Sequence, residues 1–282
     1  MILVTGATGT VGRELVRRLP RDLAVRVMAR DPSRLETAPG MEVVAGDYTD
    51  PASLDHALRG VRRAFVLTNR VGGDDDARFL RAARSAGVRH VVKVSAAAVA
   101  DGGADDLITR WQRTAERLLM ESGMGWTVLR PRSFMSNTLS WASSIASEGV
   151  VRALHGTSVN ACVDPRDIAD AAVCALTEDG HEGRIHTLTG PQPISAVEQT
   201  AELSRVLGRP LRFEELPPDR ARACLRERYP AELVEALLAA AERQLAGAKA
   251  GVDDTVLRLT GRPARTFRTW AEDHREAFCR RP

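Results

Sequence analysis

Met1-Ile2-Leu3-Val4-Thr5-Gly6-Ala7-Thr8-Gly9-Thr10-Val11-Gly12 opens the chain and runs at once into Arg13-Glu14-Leu15-Val16-Arg17-Arg18-Leu19. The apolar run reads as a short buried strand, Gly6, Gly9 and Gly12 as a loop, and Leu15, Val16 and Leu19 as one face of a helix. A helix entered from a glycine loop presents unpaired N–H groups at the positive end of its dipole. A pyrophosphate docks there if no Cβ stands in its way. Gly6 then makes the tight turn, Gly9 lets the backbone approach the phosphates, and Gly12 lets the helix lie close on the strand. Thr8, Thr10 and Val11 share this loop and belong to the same candidate set. The spacing G-x-x-G-x-x-G is one residue longer between its first two glycines than the G-x-G-x-x-G fingerprint. Its position between a strand and a helix favours a dinucleotide site over a structural turn.

Outward from this unit, strands and helices keep alternating. Strands are expected over 23–30, 41–45, 63–68, 88–95 and 126–130, with Pro131 ending the last. Asp50-Pro51 reads as an N-cap followed by proline at the first helical position, opening a helix that runs to about Gly60. Further helices are expected over 75–86 and 107–122, each stopped by a glycine. This rhythm implies right-handed crossovers and a doubly wound parallel sheet of the Rossmann type, with helices on both faces and ligands beyond the carboxyl ends of the strands.

The strand ends therefore supply the candidate site. Arg30 would pair with the 2′-phosphate of NADP, whereas an acid such as Asp31 would suit the ribose of NAD; Arg30 favours NADPH over NADH. Gly46 and Asp47 close the third strand, Asp47 either reaching the adenine edge or only forming a turn. Thr68 ends the fourth strand and Ser95 the fifth. The segment from Ala96 to Asp106 reads as a loop over the nicotinamide side.

The composition, 44% hydrophobic and 27% charged over 282 residues, is that of an ordinary globular protein. A net charge of +3 gives no reason to expect nucleic acid or a membrane surface as partner. Cys162, Cys174, Cys224 and Cys279 form no C-x-x-C pair, so neither a metal site nor a disulfide framework is signalled. The strand begins at Met1 with no leader before it, and a cytoplasmic protein is expected.

Several stretches together resemble the NmrA-like group of atypical short-chain dehydrogenases: Gly6 to Gly12, Arg30, Gly46-Asp47, Ala86 to Ser95, and Glu116 through Ser122-Gly123 to Asn137. Val163-Asp164-Pro165-Arg166-Asp167, Leu188-Thr189-Gly190-Pro191 and Thr260 to Phe267 extend the resemblance over nearly the whole chain. It implies a Rossmann domain over 1–155, with 165–190 returning to it, and a smaller, mainly helical substrate lobe over 191–282. It also implies that Phe134, Met135 and Asn137 border the substrate space. Asp167 is expected to cap a helix over 168–176. The helix opened by Pro230 reads as lobe packing or a homodimer surface.

Many short-chain dehydrogenases donate a proton through a tyrosine with a lysine four residues later and a serine beside them. Ser95 fits the serine position, but family spacing counted back from Glu116 places Ile108 and Gln112 where tyrosine and lysine would stand. Neither transfers a proton at neutral pH. Tyr48 and Tyr229, the two tyrosines of the chain, are not followed by lysine at four. The remaining polar candidates are Ser95 and Asn137 as positioners of the substrate, His155 as a proton carrier or a surface histidine, the acids Asp101, Asp105 and Asp106, and Arg132 against an anionic substrate or solvent. The expected activity is NADPH-dependent hydride transfer to a small quinone, enone or other conjugated or aromatic carbonyl compound, whose proton comes from water or a substrate hydroxyl. The alternatives are a redox sensor that binds NADP(H) without catalysis, and a cofactor-binding isomerase or lyase.

Overall fold

Short apolar runs alternate with helical stretches along the first two thirds of the chain. In the computed structural model, which describes residues 1–35 and 40–279, those runs become the strands of one parallel sheet. In chain order the elements are β1 (Ile2–Val4), α1 (Thr10–Arg18), β2 (Val25–Ala29), β3 (Glu42–Ala45), α2 (Pro51–Leu58), β4 (Arg63–Val66), α3 (Asp75–Ser85), β5 (His90–Val94), α4 (Leu107–Met120) and β6 (Gly125–Pro131). There follow α5 (Ala142–Glu148), β7 (Val150–Ala153), β8 (Val159–Asn160), α6 (Pro165–Thr177), β9 (Arg184–Leu188), β10 (Ile194–Ser195) and α7 (Ala196–Leu207). The chain ends with β11 (Arg212–Glu215), α8 (Pro218–Arg226), α9 (Ala231–Leu245), α10 (Thr255–Thr260) and α11 (Phe267–Asp273).

The seven-stranded sheet has the order β3-β2-β1-β4-β5-β6-β9. The winding direction reverses between β1 and β4, which opens a crevice at the carboxyl ends of those strands. On one face, Val11 and Leu15 of α1 and Ile168 and Ala172 of α6 share a core with Val4, Val27 and Phe65. On the other, Leu54, Leu58, Phe79 and Leu119 of α2, α3 and α4 pack with Leu3, Val66 and Val91. Coverage on both faces explains why Ile2, Leu3 and Val4 form an unbroken apolar run, all of them buried. Asp50 caps α2 with Pro51 at its first position, as the sequence predicts.

The smaller lobe is recruited from more of the chain than its expected boundaries allow. Met135, Ile145, Val151 and Cys162 join Leu203, Leu207, Phe267 and Trp270 in a separate core, so much of 135–162 packs with the lobe and not with the Rossmann layers. Strand pairing enforces this, because β7 lies parallel to β11 and β8 antiparallel to β10. In the other direction, Val256 of α10 is buried in the core beneath α1 and α6.

The cap of α6 also differs from expectation. Asp164, not Asp167, is the N-cap, accepting from the Arg166 N–H at 2.8 Å, and Pro165 occupies the first helical position. This repeats the Asp-Pro signature of α2. Asp167 lies inside the first turn, where its buried carboxylate accepts from the Arg265 backbone N–H at 2.8 Å and pairs with the Arg265 guanidinium.

Candidate active site

Two cavities open at the carboxyl edge of the sheet. The first, about 420 Å³, lies over the glycine loop and the ends of β2, β3 and β4. Gly6, at φ +66°, takes a conformation open to glycine, and a Cβ there would stand 3.2 Å from the Leu67 carbonyl oxygen. A Cβ on Gly12 would stand 2.3 Å from the Gly6 carbonyl oxygen, so α1 can start this close to β1 only without one. Thr5, which sequence reading passed over, ties the loop to β4: its hydroxyl donates to the Phe65 carbonyl and accepts from the Leu67 N–H, both at 3.1 Å.

Gly6, Thr8 and Gly9 line this cavity together with Arg30, Gly46 and Asp47. Arg30 is exposed, and Asp31 is turned to Ser33, accepting from its N–H at 3.1 Å and its hydroxyl at 2.6 Å. Asp47 accepts from both the N–H and the hydroxyl of Thr49 at 2.8 Å, and those bonds hold its carboxyl below the usual carboxylate range. Asp47 thus forms a turn and lines the cavity at once. Thr10 opens instead on a neighbouring depression with Arg13 and Glu14, and Val11 is buried in the core.

Thr68 is turned away from the first cavity. It is buried and donates to Asp76 at 2.9 Å, and Asp76 in turn pairs with the buried Lys93 at 2.7 Å. Its neighbours Leu67 and Asn69 face the cavity in its place, since alternate residues of an extended chain point to opposite sides. Tyr48 also lines this cavity, donating to the Leu67 carbonyl at 3.2 Å, and burial pushes its phenol upward.

The second cavity, about 360 Å³, lies between the ends of β5 and β6 and the lobe helix α9. Ser95, Ile108, Gln112, Phe134 and Asn137 line it, which brings together residues drawn from three separate segments. Ser95 is buried and donates to Oε1 of Glu116 at 2.5 Å. Arg130 holds the same carboxylate from the next strand, Nε to Oε1 at 3.0 Å and Nη2 to Oε2 at 2.6 Å. With its proton committed to the carboxyl oxygen that Arg130 also holds, the Ser95 hydroxyl offers the cavity lone pairs. Ile108 and Gln112, the positions counted back from Glu116, both line this cavity, and neither side chain can act as an acid.

Two predicted residues fall elsewhere. Met135 is buried in the lobe core and does not line the cavity, although Phe134 beside it does. His155 lies outside the lining, with its ring 3.0 Å from Glu242 and its backbone N–H donating to Glu215 at 2.5 Å. Tyr229 is 42% exposed on the lobe.

Sequence reading missed the far wall. α9, expected as lobe packing or a dimer surface, packs against α4 and α8 and brings Leu237, Ala240 and Arg243 to the second cavity, with Lys249 just beyond it. Arg243 pairs with Asp106 at 2.7 Å and lies 3.7 Å from Asp101. Asp106 also caps α4, accepting from the Thr109 N–H at 3.1 Å. Asp105 is exposed, against Arg110.

A doubly wound sheet whose glycine loop floors one cavity, with a second cavity beside it under a lobe, defines a dinucleotide-dependent protein. The chain belongs to the NAD(P)H-binding family, whose model matches residues 6–179, and within it to the NmrA-like atypical short-chain dehydrogenases. It is 58% identical over 280 residues, 99% of both chains, to a (4-alkanoyl-5-oxo-2,5-dihydrofuran-3-yl)methyl phosphate reductase of Streptomyces griseus. It is 37% identical over 284 residues to an NAD(P)H azoreductase of Xenophilus azovorans, again covering 99% of each. Among solved structures, the NADPH complex of an Escherichia coli NADPH-dependent quinone oxidoreductase matches with a TM-score of 0.83 and 26% identity, over 97% of this chain and 99% of that one. The chain is an NAD(P)H-dependent reductase. Among the described residues no helix is long and apolar enough to cross a membrane.

Proposed function

We propose that this protein is an NADPH-dependent reductase of a conjugated carbon–carbon double bond, and that its substrate is an acylated dihydrofuranone carrying a phosphooxymethyl group. The carrying observation is that Ser95 has no acid to relay: its proton is bound to Glu116, Ile108 and Gln112 in the same lining are no acids, and the cations of the cavity, Arg132, Arg243 and Lys249, come from other segments. Reduction of an isolated ketone concentrates charge on one oxygen and calls for a general acid. In a 4-alkanoyl-5-oxo-2,5-dihydrofuran the double bond is conjugated to two carbonyls, so hydride addition at C3 spreads the charge over both oxygens, and C4 then takes a proton from water. The 58% identical relative is named for that substrate.

NADPH supplies the hydride. Gly6, Thr8 and Gly9 hold its pyrophosphate and Arg30 its 2′-phosphate, a reading supported by the cavity they line and by Asp31 being turned aside. Ile108, Phe134, Leu237 and Ala240 give the substrate ring and its alkanoyl chain an apolar wall. Asn137, at the rim of the same cavity, offers an amide N–H to a carbonyl oxygen. Ser95 offers a lone pair to an N–H or O–H of the cofactor, since the furanone phosphate carries no donor.

The test uses NADPH deuterated at the transferable position and a synthetic 4-alkanoyl dihydrofuranone phosphate. Deuterium is expected at ring C3, with one NADPH consumed for each product. Deuterium on the exocyclic carbonyl carbon, or turnover of quinones alone, overturns the substrate assignment. In parallel, Arg30→Ala is expected to weaken NADPH binding by about tenfold or more, as loss of charge-assisted hydrogen bonds does, and to leave NADH binding where it was.

A further inference from the structure

The lobe end of the second cavity carries charge that the hydride chemistry does not use. Arg132 follows β6, Arg243 lies on α9 and Lys249 in the segment after it, so separate segments bring three cations to one apolar slot. Both nearby carboxylates are engaged with Arg243: Asp106 at 2.7 Å and Asp101 at 3.7 Å. Among the described residues, no carboxylate lies within ion-pairing distance of Arg132 or Lys249. The Arg132 Nε is fully buried and has no hydrogen-bond partner. Among the described residues, the Lys249 ammonium has one side-chain hydrogen-bond partner, Gln244 Oε1 at 3.5 Å.

Arg132 and Lys249 are half-buried, with Asp101 and Asp106 acting on them only from beyond ion-pair contact; half-buried cations with no carboxylate in contact are unfavourable, and a bound anion removes that cost. We propose that Arg132 and Lys249 form an anion subsite that holds the phosphomonoester of the substrate, with Arg243 anchored behind them by Asp106 and Asp101. This proposal rests on the furanone phosphate reading and adds the residues that select for the phosphate. Arg132 supplies a planar fork for two phosphate oxygens and Lys249 a point charge. The apolar residues of the slot take the uncharged part of the molecule, so the phosphate sets which end enters first. The Lys249 ammonium is pushed down to about 8, by burial first and then by Arg243 and Arg132, with Asp106 opposing. A dianion beside it reverses that effect.

Two measurements test the subsite. In the first, phenyl phosphate is titrated calorimetrically into protein saturated with NADP, so that the nucleotide's own phosphate sites are filled. Saturable binding is expected, weakened about tenfold or more in Arg132→Ala and in Lys249→Ala and retained in Lys249→Arg, as for loss of a charge-assisted contact. In the second, kcat/KM is compared between the furanone phosphate and its free alcohol. The wild type is expected to favour the phosphate, and both alanine variants to lose about tenfold of that preference through KM. Phenyl phosphate binding equally to wild type and variants, or a preference ratio that the variants leave intact, overturns the subsite. If no furanone is reduced but phenyl phosphate binding depends on Arg132 and Lys249, the subsite stands and the substrate assignment falls.

Discussion

Ser95 donates its hydroxyl proton to Glu116 Oε1 at 2.5 Å, in the lining of the second cavity. The acceptor is immobilised by the paired contact from Arg130, so the end of β5, the middle of α4 and the end of β6 share one polar network. A carboxylate accepts only, and Glu116 therefore fixes the direction of the Ser95 hydrogen bond. Ser95 is therefore an acceptor toward a cavity whose lining contains no tyrosine.

Ser95→Ala should accordingly have a mild effect. Removing one accepting hydrogen bond is worth about 0.5–1.5 kcal/mol, so steady-state kinetics should show a decrease in kcat/KM of about two- to tenfold. The pH–rate profile should keep its shape. A decrease of about a hundredfold or more, the scale of losing a general acid, would mean that Ser95 delivers a proton.

Glu116→Ala tests the network beneath it. The variant leaves Arg130, 15% exposed at its side chain, without its carboxylate. Stranding one member of a buried pair costs about 3–5 kcal/mol. Urea unfolding should show the unfolding free energy falling by that amount through a lower midpoint, with the slope unchanged.

Gly12→Ala separates close packing from the general effect of replacing a glycine. The new Cβ meets the Gly6 carbonyl oxygen at 2.3 Å and its carbon at 2.6 Å, which forces α1 away from the loop. Overpacking of this kind costs about 1–3 kcal/mol, and fluorescence titration should show NADPH affinity falling with it. Gly102→Ala is the control, because a Cβ there meets nothing within 4 Å.

The pH dependence of phosphate recognition follows from Lys249. The lysine is held down to about 8, so it carries its charge below that pH and loses it above. The KM for a phosphorylated substrate should therefore rise as pH passes upward through about 8, while Lys249→Arg should keep a flat KM over the same interval. The bound dianion favours the charged lysine, so the rise in KM should level off at a higher pH, where the lysine of the complex also loses its proton, while kcat stays flat.

The sequence by itself determined what local geometry controls. The period of Leu15, Val16 and Leu19, the glycines at 6, 9 and 12, and the Asp-Pro start of α2 act over a few residues, and they were enough to define the parallel sheet and its nucleotide loop. Ser95, Arg30, Gly46 and Asp47 were legible for the same reason, since each follows directly from a strand end. The tertiary structure decided whatever depends on residues far apart in the chain. Glu116 reaches Ser95 across 21 positions, and Arg243 reaches Asp106 across 137. Thr68 was indistinguishable from its neighbours until Asp76 turned it inward, and Met135 until the lobe core took it. The cation cluster of Arg132, Arg243 and Lys249 has no sequence spacing at all, because it exists only once α9 packs against α4. Side-chain direction in a loop, and the company a charge keeps, are set by packing between elements, and no local period encodes that.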